Sequence, residues 1–537
     1  MDLLKKRLGA LMLAMAMLLS LAACGDDDEE TPEEDLSGYV GDQVVQQTAA
    51  ADDVFSVNYD STAAINPITA QNATNTQFWS LMYDSVFTVE NDFTVTSEIV
   101  KEYTSSDYEW WVFYINTDIT FNDGSPLTAK DIVYSINRAR QYEYYMSRLS
   151  CIYGISAMGD DCFAISLDAP NSQLPALLNI PIIKDGTLND PVPIGSGPYM
   201  MDESGDKLVA YEGYRHYDKL PVDTVYLKDY KDTASKISAF ENSLVDIVIN
   251  DPTGMFNLGY GSSNEIRYYE TSNMHYIGFN FTGRYFYSSL ARMAVGAAVD
   301  RNGIVESYME NCAVPAALPV HPVSPLYDEE YAKGYGYDLE KSKVMFQNFG
   351  VKDYDADGVL ETMITGIVVE IDIKFIVNTD STVKLEAARQ IAETINSMGI
   401  KVTLHELGWD DYVEALEKGD YDMYYGEVRM TPDWDLGYLF KPYTVARDPD
   451  DTDKGMNYAN CTDEQYCALY DAYLAAGEEG RALAYTEVCR YVTEQGAIIP
   501  ICFERQQVLS HRGVISGIDA NQYDVYNRFY DWTITFE

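Results

Sequence analysis

An α/β fold built on a mixed or parallel sheet is what this sequence predicts, and three observations predict it. Residues 384–428 run helix, strand, helix, strand, the alternation that builds parallel or mixed sheets. From about residue 52 the same alternation of strand-like and helix-like segments continues along the chain. The chain has 537 residues, 47% hydrophobic and 13% aromatic, which supplies more than one core and suggests two to four lobes.

Lys5, Lys6 and Arg7 open the chain as a basic stretch, and residues 8–20 are almost uninterruptedly apolar. This is the layout of a cleaved export signal, and the run is shorter than the roughly 20 apolar residues that span a bilayer. The ending Leu21-Ala22-Ala23-Cys24 resembles the bacterial lipobox. That resemblance implies cleavage before Cys24, a diacylglycerol on its thiol, and a protein tethered at the outer face of the cytoplasmic membrane. Residues 24–48 read as an acidic tether with too few apolar groups to offset ordering entropy. A flexible chain of that length spans roughly 25–30 Å.

Asp53–Ser61 reads as a strand running into a loop at Ile65-Asn66-Pro67. Residues 76–87 read as a helix with Phe78, Met82 and Tyr83 on one face, and Glu109–Asn116 alternates as a strand. A turn at 122–126 precedes Thr128, a plausible N-cap with Asp131 three residues on, opening a helix to about Gln141. Leu385, Ala388, Ala392 and Ile395 mark one face of an amphipathic helix over 384–398. Strand 402–407 follows, then a helix from 411 to about 418 with Asp410 as its cap, then strand 421–428.

The formal charge of −48 excludes nucleic acid as a partner, because phosphates demand a basic footprint. Such a surface is also repelled by anionic lipid, so the lipid on Cys24 rather than electrostatics would hold it at the membrane. Eight cysteines are present; Cys24 aside, seven remain. Cys151 with Cys162, and Cys461 with Cys467, are close enough in sequence to pair, and connectivity stays open. The five histidines are scattered, with no C-x-x-C and no H-E-x-x-H, so no metal site or cofactor is expected. Asp353, Asp355, Asp357 and Gly358 resemble half a calcium loop, but Ile364 stands where the bidentate glutamate belongs, and a solvated turn is the expected reading.

At 121–139, FNDGSPLTAKDIVYSINRA resembles the stretch F-x-D-G-x-P-L-T-A-x-D-V-x-x-S of bacterial extracellular solute-binding proteins of the oligopeptide, dipeptide and nickel class. Further matches follow in the family's order. Ile65-Asn66-Pro67 sits at its Leu-Asp-Pro, and Gly195-Ser196-Gly197-Pro198-Tyr199 matches its Gly-x-Gly-Pro-Tyr. Residues 239–249, 276–305 (with Arg292, Asp300 and Arg301 in register) and 338–350 resemble its later segments.

The resemblance implies a two-lobed, type II periplasmic-binding-protein-like fold of the Venus-flytrap kind, with an extra inserted subdomain. Residues 49–75, 188–277 and 497–537 would form lobe I, 76–187 the insertion, and 278–496 lobe II. It implies a monomeric receptor that encloses a peptide or other small solute in the cleft and hands it to ABC permease and ATPase subunits. By the same resemblance the ligand contacts would be Ser61 and Thr62 beside Asp60, then Tyr145 and Arg148, then the strand Gly426-Glu427-Val428-Arg429-Met430, with Trp434 as a cleft aromatic. Where peptide-binding members carry an aspartate for the peptide's ammonium end, this chain has Met430, with Asp433 and Asp435 displaced. Arg148 and Arg429 suit a carboxylate or other anion instead. Two other function classes compete. An extracytoplasmic hydrolase lacks G-x-S-x-G or any Cys–His pair, so no bond-making role is expected. A non-transporting sensor or adhesin on the same fold stays open, since a fold does not dictate a function.

Overall fold

Strands buried on both faces lose their polar alternation and read as continuous apolar runs. Met423, Tyr424 and Tyr425 are such a run: all three are nearly solvent-free, the outer two facing one core and Tyr424 another. The computed structural model describes residues 53–70, 72–253, 264–310, 312–440, 457–459 and 463–536. The lipobox with Cys24, the acidic tether and Cys461 lie outside the described residues. No helix among the described residues is long and apolar enough to cross a membrane.

The strands that position the site are β1 (Phe55–Tyr59), β2 (Val100–Ser105), β3 (Trp110–Ile115), β4 (Ile152–Ala157), β5 (Cys162–Leu167), β6 (Tyr199–Met201), β7 (Lys207–Ala210), β8 (Thr224–Asp229), β9 (Ile247–Asn250), β10 (Glu265–Phe279), β11 (Asp372–Asn378), β12 (Lys401–Leu407), β13 (Met423–Arg429) and β14 (Ile499–Ser510). One mixed sheet runs β12-β11-β13-β10-β14-β9-β1-β8-β7-β6. Strands β1 and β8, and β11 with both β12 and β13, pair in parallel. The pairs β10–β13, β10–β14 and β9–β14 are antiparallel. A second, antiparallel sheet, β2-β3-β5-β4, packs its Phe113 and Phe163 face into the same core as β1.

Three main cores share this frame. The first gathers Phe55, Phe113, Tyr199, Tyr269, Val508 and Trp532. The second and third cover opposite faces of β10–β13, around Phe375 and Ile391 on one side and Tyr276 and Trp434 on the other. Among the described strands, only β10 and β14 feed both halves: Tyr269 and Val508 belong to the first core, while Ile277, Ile501 and Phe503 belong to the other two. Their pairing slips between Glu270 and Met274, a bulge that bends and twists the ladder at the crossing.

A buried polar cluster fills that crossing. His275 Nε2 lies 2.8 Å from Glu504 Oε1 and His275 Nδ1 lies 2.9 Å from the Tyr425 hydroxyl. Thr253 and Asn273 donate to the two Glu504 oxygens at 2.9 Å each. Burial alone would raise the Glu504 carboxyl, but His275 and these donors outweigh it and hold the group below its usual range.

Local signals explain several elements. Helix Ala129–Ala139 starts where Asp131 accepts from the Thr128 N–H at 2.9 Å and from its hydroxyl at 2.7 Å, and Asp131 also takes the Asp185 N–H. Gly195 and Gly197 lie against the Met82 backbone; a Cβ at Gly197 would stand 2.5 Å from the Met82 carbonyl carbon, so only glycine fits. That contact shortens the helix expected over 76–87. Residues Asn75–Leu81 form a 3₁₀ helix, and the chain then extends so that Val86 and Phe87 donate to Ile180 and Leu178. Gly408, not Asp410, caps helix Trp409–Lys418, with Asp410 inside its first turn. Helix Thr382–Asn396 buries Ala388, Ala392 and Ile395, with Leu385 half-buried. Cys151 and Cys162 are both free thiols rather than a pair.

Removing Glu504 leaves the buried donors of Thr253 and Asn273, and the contact of His275, without their partner. Glu504→Ala is expected to destabilise the protein by about 1–3 kcal/mol in denaturant unfolding. The double change His275→Leu/Glu504→Ala should cost less than the sum of the two single changes.

Candidate functional site

Between the cores lies a cavity of about 670 Å³, within the range of small-molecule sites, about 300–1,000 Å³. Its walls are the segments 73–99, 144–148 and 522–530, Tyr269 of β10, and from β13 only Arg429. The wall is aromatic and charged together, and its charges are mostly matched. Arg215 grips Asp84 with two bonds of 3.0 and 2.7 Å and donates through Nε to Glu98 at 2.5 Å. Tyr530 donates to Glu98 at 2.8 Å and Ser196 donates to Asp84 at 2.9 Å. Burial opposes ionisation of Glu98, but Arg215 and the Tyr530 hydrogen bond hold its carboxyl below the usual range. Arg528 is taken by Glu90 and Asp519.

Of the residues expected from the sequence, the cavity brings together Tyr145, Arg148 and Arg429. Tyr145 sits in the short helix Glu143–Met146 and donates its hydroxyl to the Pro67 carbonyl at 2.8 Å. Asn66 fixes that loop in turn, accepting from Ile68 and Thr69 and donating to Leu188. Arg148 stacks on the Tyr145 ring and donates to the Asn179 carbonyl at 2.7 Å. Arg429 lies over Tyr523, 5.8 Å from its ring centre.

The other expected contacts serve different ends. Ser61 is bound through its N–H and hydroxyl to Asp229, and Thr62 to Asp60; both are exposed and away from the cavity wall. Gly426 lets β13 pass under the Tyr276 ring, which a Cβ would meet at 2.5 Å. Glu427 pairs with Lys384. Val428, Met430 and Trp434 are buried in the third core. The Met430 N–H donates to the Ser272 carbonyl at 2.9 Å, tying the end of β13 to the bulge.

Sequence reading passed over Trp79, Tyr523, Asp524 and the Asp84–Arg215–Glu98 cluster. Asp84 and Arg215 are 131 residues apart, and residues 521–526 carry no period or motif, only an Asx-turn asparagine, Asn521, which accepts from Tyr523 and Asp524. It also missed how the lobes meet. Phe93, at the tip of the 88–96 hairpin, packs 4.9 Å from the Trp434 ring and 5.2 Å from His321. The Ser172 N–H donates to the Leu474 carbonyl at 2.7 Å.

Two carboxylate clusters are the metal-sized groupings among the described residues. Asp353, Asp355, Asp357 and Glu361 converge within 4.8 Å, with Asp353 accepting from Ala356, Asp357 and Gly358 of its own turn. His275, Glu427 and Glu504 are the second, with Lys384 already on Glu427.

A framework of two core regions joined by two strands, with an aromatic and charged cavity between, defines a two-lobed solute-binding protein. Residues 94–447 match the bacterial extracellular solute-binding proteins, family 5 middle region, and the chain belongs to that family. It is 25% identical over 378 residues to the oligopeptide-binding protein AppA of Bacillus subtilis, spanning 64% of this chain and 66% of the relative, just under two thirds of its length. The structure of that oligopeptide-binding protein in complex with a nonapeptide superposes with a TM-score of 0.60 at 19% identity, covering 90% of this chain and 98% of the other. NikZ from Campylobacter jejuni, in complex with Ni(L-His), gives 0.64 at 17% identity over 89% of this chain and 99% of the other. The two-lobed α/β fold expected from the sequence is thus the observed one.

Asp433 tests how the lobes' contact region responds to pH. It is buried, its Oδ1 lacks a hydrogen-bond partner, and burial with Asp435 nearby pushes its pKa up to about 6. An unfolded aspartate titrates near ~3.9. The folded state therefore holds the extra proton between the two values, and stability falls as pH rises through about 4 to 6. Melting temperatures should fall over that interval, and Asp433→Asn should reduce the fall; equal slopes would exclude the assignment.

Proposed function

We propose that this protein is the substrate-binding subunit of an ABC importer, capturing short peptides in the interlobe cavity and delivering them to a permease. The observation that carries the reading is the cavity itself, placed between cores that, among the described strands, β10 and β14 connect. Such a frame bends at the crossing, and ligand shifts the open–closed balance by its differential affinity for the closed form. Binding, not bond making, is the chemistry: the wall supplies matched charges and aromatic rings. The permease and its ATPase partner would read the closed form. We also propose export and lipid attachment at Cys24, with residues 24–48 as the tether, on the lipobox resemblance. Peptides are favoured by the oligopeptide-binding relative.

A second reading, a single non-peptide solute, is favoured by one feature. The position expected to hold a peptide's ammonium is Met430, buried in the third core, and Asp433 is absent from the cavity wall. The nickel–histidine complex of NikZ shows that the fold accommodates such ligands.

Denaturing mass spectrometry of whatever co-purifies with residues 25–537 separates the readings. A ladder of short peptides is the expected result. One non-peptide solute would replace the peptide reading with the second.

A further inference from the structure

Arg301 opens helix Arg301–Tyr308, which gives Ile304 and Val305 to the second core, and it lies outside the wall of the interlobe cavity. Only 8% of it is exposed. Its Nε donates to the carbonyls of Ala316 at 3.1 Å and Pro500 at 2.8 Å, and its Nη1 to that of Tyr335 at 3.0 Å. Among the described residues its Nη2 has no hydrogen-bond partner, and no carboxylate pairs with the group. Arg292, buried to a similar depth, places all three of its nitrogens on the carbonyls of Phe286, Gln495 and Gly496. A buried guanidinium with a spare donor and no counter-charge is costly. Burial pushes its pKa down to about 10, so it still carries its charge at neutral pH.

A cavity of about 40 Å³ lies against this arginine, walled by Gly296, Tyr335, Lys341, Thr493 and Pro500. That is room for a few water-sized atoms. Lys341 brings a second cation to the same wall. Its Nζ donates to the Gly334 carbonyl at 2.9 Å and, among the described residues, pairs with no carboxylate. The chain carries 85 acidic against 37 basic residues, so two cations on one cavity without a carboxylate are unusual in it. The acids next in sequence are engaged elsewhere. Asp338 accepts the Lys341 N–H at 2.9 Å, Glu340 pairs with Lys343, and Asp300 accepts the Gly303 N–H at 3.0 Å. We infer that a small monovalent anion, of chloride's size, is bound in this cavity by the Arg301 Nη2 and the Lys341 Nζ. The anion neutralises the buried guanidinium and takes its spare donor. It also braces the root of β14, since the Pro500 and Tyr335 carbonyls hang on the same arginine. The site is separate from the interlobe cavity, and the inference does not depend on what that cavity holds.

The test is thermal melting of the purified protein in sodium chloride and in sodium isethionate at one ionic strength, together with diffraction from crystals soaked in bromide. Chloride should raise the melting temperature in a saturable way, as a ligand of the folded state does, and the bulkier isethionate should not. Lys341→Met should raise the half-saturating chloride concentration by about two- to fivefold, the range of a partly exposed ion pair. Without chloride the same variant should melt no lower than the parent, because it removes one of two like charges. Arg301→Met should abolish the chloride response, and Lys341→Met decides the matter if that variant does not fold. Bromide should give anomalous density between Arg301 and Lys341. A chloride response that Lys341→Met leaves unchanged would overturn the inference, as would a water at this position in both salts. Bromide density there without any chloride effect on melting would mark an adventitious ion only and would overturn it too.

Discussion

The buried contact between His275 and Glu504 governs the rest of the molecule. It sits where β10 and β14 leave one lobe for the other, and it draws in Thr253, Asn273 and Tyr425, so three strands and the residues just after β9 meet in one polar cluster. A charged group this deep is costly unless every lone pair is occupied. Glu504 accepts from three donors, which offsets that cost and fixes the register beside the bulge. The bulge in turn sets where the sheet bends, and hence where the cavity opens between the cores.

From that crossing the two sides of the cleft acquire different roles. The first lobe provides most of the wall and nearly all of its matched charge. Gly195 and Gly197 press the chain onto Met82, Ser196 reaches Asp84, and Asp84 orders Arg215. The second lobe sends in Arg429 and receives Phe93, whose ring wedges between His321 and Trp434. Direct contacts between the lobes include that wedge and the Ser172–Leu474 hydrogen bond. A ligand shifts such a contact only through its differential affinity for the closed form.

Much of the frame was legible in the sequence because it rests on local chemistry. The Thr128–Asp131 cap, the amphipathic face expected over 384–398 and the strand around Met423–Tyr425 each follow from spacing alone. The Gly-x-Gly-Pro-Tyr match at 195–199 was legible as a resemblance; its reason, close approach to Met82, is tertiary and invisible in one sequence. The same contact defeated the helix reading of 76–87, where apolar spacing suited a helix but pairing with 178–182 prevailed. Of the contacts expected through neighbouring motifs, Tyr145, Arg148 and Arg429 line the cavity. Ser61, Met430 and Trp434 were expected at the ligand on the same grounds, and the structure instead ties Ser61 to Asp229 and buries the other two. Tyr523 and Asp84 carried no signal, since each matters only through partners far along the chain.

The central claim is that solute closes two lobes that hinge where β10 and β14 cross. Small-angle scattering of the protein as purified, then stripped of its solute, then reloaded with the eluted solute tests it most directly. The account predicts a larger radius of gyration for the stripped form and a return to the compact value on reloading. An identical radius in all three states would contradict it.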